Sequence, residues 1–113
     1  MNFDSLSMVK FGDNEGLSIF LLENGLQHRL FQDTFFQQGL TFPTFPITDA
    51  DVENLDDWLL SHQVEHQYMA STLELPNPAN MLDVDFSKED QFYDWLATHL
   101  TIHEQIAGVL GLT

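Results

Sequence analysis

Cysteine is absent from the 113-residue chain. That removes thiol chemistry, cysteine-based zinc sites and any disulfide framework, and it fits a reducing compartment. Cations are nearly absent as well: Lys10, Arg29 and Lys88 stand against 18 Asp and Glu, for a formal net charge of −15. Nucleic-acid binding requires cationic side chains that neutralise phosphates, so a surface of this sign repels DNA and RNA. Anionic membrane surfaces are disfavoured on the same ground. No apolar run approaches the roughly 20 residues that a membrane-spanning helix needs. The opening segment MNFDSLSMVK has neither the basic start nor the apolar stretch of a signal peptide, and synthesis in the cytoplasm is expected. P-loop, G-x-G-x-x-G, G-x-S-x-G and H-E-x-x-H motifs are all missing.

What remains is apolar and aromatic. Hydrophobic residues make up 43% of the chain, and ten of the residues are Phe. That is enough for one core at a single-domain length, without help from disulfides or metal.

The strongest signal is an internal repeat. Asp57-Trp58-Leu59-x-x-His62-x-x-x-His66-x-x-Met69-Ala70-x-x-Leu73-x-Leu75 returns 37 residues later. The second copy is Asp94-Trp95-Leu96-x-x-His99-x-x-x-His103-x-x-Ile106-Ala107-x-x-Leu110-x-Leu112. A more degenerate copy lies 38 residues before Trp58, where Leu17, Phe20, Leu21, Asn24, His28, Phe31 and Phe35 match Leu55, Trp58, Leu59, His62, His66, Met69 and Leu73. Steps of three and four place each set on one face of an α-helix, and periods of this size mark repeated units that share a core.

Helices are expected near residues 14–38, 49–74 and 87–111, after an N-terminal arm over 1–12. Asp13 or Asn14, Thr48 with Asp51, and Ser87 with Asp90 read as N-caps. Gly39, Pro76 with Pro78, and Gly111 read as stops. The fold class expected is all-α: one domain over 1–113, a small bundle of three repeat-derived helices joined by ordered Pro-containing connectors. Leu17, Phe20, Phe31, Phe35, Leu55, Trp58, Leu59, Met69, Leu73, Phe92, Trp95, Leu96, Ile106 and Leu110 should form its core. The order and direction of the helices are left open.

The repeat also places imidazoles one helical turn apart. His62 with His66, and His99 with His103, have an i, i+4 spacing that can ligate zinc through both side chains; His28 could join them. The competing reading makes them a buried polar layer of neutral imidazoles, each donating on one side and accepting on the other, which fixes helix register. The absence of a repeating carboxylate and the presence of Asn24 in the first copy favour that layer, so no catalytic residue, cofactor or metal is expected. If a metal does bind, His62, His66, His99 and His103 are its ligands. His62-Gln63-Val64-Glu65-His66 matches the inverted metalloprotease pattern H-x-x-E-H, but Ile102 replaces Glu65 in the next copy. Asp83-Val84-Asp85 resembles a calcium-ligand run without the glycine its turn requires.

The paired W-L-x-x-H-x-x-x-H segments, the intervening N-M-L-D-V-D-F-x-x-x-x-Q-F-x-x-W and the closing L-G-L resemble small acidic proteins encoded among the virion-assembly genes of tailed bacteriophages. Trp58, His62, His66, Asp85, Phe92, Trp95, His99 and His103 carry the resemblance, which spans roughly residues 50–112. It implies a phage particle or its assembly as the context; together with the acidic surface and the missing catalytic motifs, the expected role is that of a non-enzymatic structural or interaction protein of the virion, at the head–tail connection, in the tail or on the capsid. Its partners would be virion proteins with basic surfaces, within a homo- or hetero-oligomeric assembly and without nucleic acid or membrane. A DNA-mimic inhibitor and a histidine-based metal-binding bundle are the alternatives. Acids gathered at helix starts and connectors, rather than along one face, weigh against the mimic.

Overall fold

A computed structural model describes residues 3–43, 55–76 and 84–112. It is an all-α bundle of three long helices, α1 (Asn14–Gln37), α2 (Leu55–Leu73) and α3 (Glu89–Leu110), preceded by one 3-10 turn at Asp4–Leu6. No strand occurs among the described residues. The expected Thr48–Asp51 cap and the first turn expected for the second helix lie outside them.

Asp13 caps α1, its Oδ1 accepting from the Gly16 amide at 3.0 Å. The expected Ser87 cap is not formed. Instead, the Ser87 amide and hydroxyl both donate to Asp85 Oδ1, at 3.0 and 2.6 Å. This holds the Asp85 carboxyl below its ordinary pKa, and α3 starts from Lys88 without a side-chain cap. All three helices close in one way. A left-handed residue (Gly39, Glu74, Gly111) is followed by a leucine whose amide reaches back five residues, Leu40 to Phe35, Leu75 to Ala70 and Leu112 to Ala107, each at 2.8 Å. The second stop therefore falls at Glu74, ahead of the prolines, in a conformation that costs a non-glycine residue about 1–2 kcal/mol.

The helices run parallel, with repeat positions at equal levels. The Phe20, Trp58 and Trp95 rings form a near-equilateral triangle with centroids 6.5, 6.0 and 6.3 Å apart. At the start of the bundle the Phe11 amide donates to Tyr93 Oη at 2.9 Å, and at its end Gln38 Nε2 donates to the Leu110 carbonyl at 3.4 Å. Both contacts join like ends of the first and third units. A parallel trio lets three copies of one sequence bury one kind of face against itself around a pseudo-threefold axis. It also requires the chain to travel the bundle's length twice between helices, about 30 Å each way at 1.5 Å per residue.

Every residue expected in the core is buried except Leu55 and Leu73, which are partly buried against it. Leu6 and Val9, from the N-terminal segment, are buried in it as well. No described helix is long and apolar enough to cross a membrane.

Candidate metal centre

Directly beneath the Phe20–Trp58–Trp95 layer, the next two levels of the repeat hold Asn24, His62 and His99, then His28, His66 and His103. All six side chains are buried. Parallel packing brings together what the sequence leaves on three separate helices. One ring nitrogen from each of the five histidines lies within 4.8 Å of every other. His28 Nε2 stands 3.1 Å from that of His62, 3.2 Å from that of His66 and 3.1 Å from that of His103. His62 Nε2 stands 3.0 Å from that of His66 and 3.3 Å from that of His99.

Hydrogen bonding alone does not account for this convergence. A ring nitrogen of neutral imidazole presents one in-plane lobe, either an N–H or a lone pair. His28 Nε2 faces three other Nε2 atoms and can serve one of them well; His62 Nε2 is in the same position. The remaining approaches set lone pair against lone pair, or N–H against N–H. In the layer expected from the sequence, each imidazole donates on one side and accepts on the other. His103 comes nearest to that arrangement, with its Nδ1 2.9 Å from Gln27 Oε1. The Nδ1 atoms of His62, His66 and His99 are buried and unpartnered among the described residues.

A cation at the centre resolves these clashes. Two nitrogens bound to one ion at about 2.1 Å, and about 90–110° apart, lie about 3.0–3.4 Å from each other, which is the spacing found for five of the ten nitrogen pairs, the rest lying within 4.8 Å. All five Nε2 lone pairs would then point inward and each Nδ1 would carry the proton. The surroundings fit that tautomer at His103 and, by charge, at His28, while the Nδ1 atoms of His62, His66 and His99 would carry their protons without an acceptor among the described residues. His103 Nδ1 is placed to donate to the Gln27 carbonyl oxygen. Glu65 Oε1 lies 2.9 Å from His28 Nδ1, close enough for charge attraction but out of line for a hydrogen bond. Outer partners of this kind orient ligating imidazoles and raise their basicity. Trp58 stacks on His62 and Trp95 on His99, both with centroids 4.5 Å apart and tilts of 28° and 13°, so the indoles hold two ring planes in place.

Sequence reasoning selected His62, His66, His99 and His103, and all four are here. His28 joins them as a full member. Gln27 and Glu65 it missed in these roles, because each supports an imidazole on another helix and periodicity along one helix does not reveal such a pairing. Glu65, singled out within H-x-x-E-H, faces His28 of α1. Asp83, of the Asp83-Val84-Asp85 run, lies outside the described residues. A cavity of about 660 Å³ near the bundle's N-terminal end, lined among others by Phe11, Leu17 and Phe86, touches none of the five histidines. A smaller cavity of about 210 Å³ opens beside the centre, lined by Asn24, Gly25, His28, Arg29, Gln32, Trp58, His62 and Glu65.

Comparison with protein-family models, with curated proteins and with solved structures finds no match for this chain. The reading of the centre therefore rests on its own chemistry.

Burial lowers the pKa of His62, His66, His99 and His103 well below the ordinary value, and repulsion among the neighbouring imidazoles lowers it further. The folded, metal-free chain thus resists protons that the unfolded chain accepts near pH 6.5. The contribution of these histidines to stability is full above that pH and falls as pH drops below it. Metal-free protein is expected to show a markedly lower urea midpoint at pH 5.5 than at pH 7.5. Equal midpoints would mean that these imidazoles are not held neutral by the fold.

Proposed function

We propose that this protein binds one divalent first-row transition-metal ion through the Nε2 atoms of His28, His62, His66, His99 and His103. The observation that carries the reading is the convergence of five buried imidazole nitrogens at ligand-to-ligand spacing. Imidazole suits iron, copper, nickel and zinc, whereas calcium and magnesium want oxygen, and no carboxylate is among the five. Structural zinc is nearly always tetrahedral and would strand one imidazole without a role. Five donors favour an ion that takes five or six ligands, such as Fe(II), Co(II), Ni(II) or Cu(II).

The role outside the centre is proposed as non-enzymatic and architectural, in the assembly of a tailed-phage particle. The likeness to small acidic phage proteins supports it, as does the −15 charge, which steers basic protein partners through a salt-sensitive attraction. Ile19, Leu22, Leu26 and Leu30 add an exposed apolar stripe along α1, a feature that marks protein–protein contact more often than free surface.

Titration of chelator-treated full-length protein with Co(II), followed by visible absorption, tests the metal reading. A sharp endpoint at one ion per chain is expected, lost in His66→Ala and His103→Ala. Absence of saturable binding would end the proposal. Gln27→Leu and Glu65→Leu are each expected to weaken binding about 10–100-fold in competition with a chelator, the usual cost of removing an outer partner. Unchanged affinity in both would show that neither side chain orients a ligand.

A further inference from the structure

The pseudo-threefold arrangement provides six places around the centre, and five hold histidine. The sixth belongs to Asn24, the counterpart of His62 and His99 in the first repeat. Asn24 is 2% exposed, and its Oδ1 has no hydrogen-bond partner among the described residues. The asparagine side chain is shorter than histidine's, so the threefold pattern is left one ligand short at this corner. The 210 Å³ cavity lies at this corner, with Asn24, His28 and His62 in its wall.

We infer that the metal keeps an open coordination position on the Asn24 side, which binds water in exchange for a small monodentate anion. This rests on the metal reading above. An unpartnered buried oxygen is costly, and a metal-bound water in this cavity would give Asn24 Oδ1 the donor it lacks. When an anion replaces that water, the Asn24 amide N–H₂ can turn toward it, because the two ends of an amide donate and accept respectively. Size limits the ligand: the cavity of about 210 Å³ has room for about seven waters at about 30 Å³ each and is smaller than the roughly 300–1,000 Å³ of sites for drug-sized molecules. Charge selects its sign. An ion held by five neutral imidazoles keeps its full positive charge. Arg29, one of only three Lys and Arg residues, lines the cavity together with Glu65, so their opposite charges offset each other there and the ion's own charge sets the sign. Coordination is simple exchange: one metal–water bond breaks, one metal–anion bond forms, and no electron moves.

The test uses full-length protein loaded with one Cu(II) and titrated with sodium azide. With no cysteine present, no thiol reduces the copper. Wild type is expected to develop a saturable azide-to-copper charge-transfer band while copper stays at one per chain. Asn24→His, which completes the six-imidazole set, should keep its copper and lose the azide response at least tenfold. Asn24→Ala leaves the corner open and should keep the band with weaker azide affinity. Copper bound one per chain with no azide band in wild type would overturn the open position and leave the metal reading standing. An unaltered azide response in Asn24→His would overturn the assignment to this corner. Failure of wild type to bind copper would remove both readings. The wild-type titration decides the existence of the position even where the histidine variant does not fold.

Discussion

Chelation of the bound metal is expected to lower the melting temperature by about 15 °C. At a free metal concentration 1,000 times the dissociation constant, binding to the folded state alone stabilises it by about 4 kcal/mol. A domain near 100 residues shifts by about 4 °C per kcal/mol. The same logic gives an inverse result for the metal-free chain. Replacing His99 by Leu substitutes an apolar group of similar size for an imidazole with an unpartnered buried Nδ1. Metal-free His99→Leu should therefore be as stable as metal-free wild type, or more stable by about 1–3 kcal/mol, while its gain on adding metal shrinks or vanishes. Histidines serving only to pin helix register would behave in the opposite way. His99→Leu would then lose stability with or without metal, and chelator would leave the melting temperature where it was.

Trp95→Ala should destabilise the fold by about 3–5 kcal/mol. Trp95 is fully buried and shares ring contacts with Phe20, Trp58, Phe86 and His99. It thereby joins the aromatic layer to the imidazole layer, which it also meets at His62. Native stabilities lie near 5–15 kcal/mol, so the variant should be marginal at 37 °C. Because the indole also backs His99, the variant should bind metal more weakly even below its melting temperature. A denaturant midpoint equal to that of wild type would show that the core is not organised around this residue.

Much of this was legible in the sequence because it depends on local periodicity. The repeat from Trp58 to Leu75 and from Trp95 to Leu112 carries its own helical face, so the three helices, their buried stripes and four of the five clustered histidines follow from spacing. Helix direction did not follow, since i, i+4 patterns are blind to which way a neighbour points. The clue was nonetheless present: like residues at like repeat positions, Phe20 with Trp58 and Trp95, pack at one level only if all three copies run the same way. Once parallel packing is granted, His28 must meet His66 and His103, and the imidazoles expected as a layer become a cluster of five converging rings. Ser87 misled as a cap because Asp85 takes both of its donors. Glu74 was missed as a stop because a left-handed glutamate leaves no compositional mark. The pairing of Gln27 with His103 and the approach of Glu65 to His28 exist only across helices.

X-ray absorption at the metal edge of protein loaded with one Ni(II) or Co(II) per chain reads the ligand set itself. A first shell of five imidazole nitrogens near 2.1 Å is expected, with the outer-ring scattering of five histidines and one further light-atom ligand. A shell dominated by oxygen, or one with no more than two imidazoles, would contradict it.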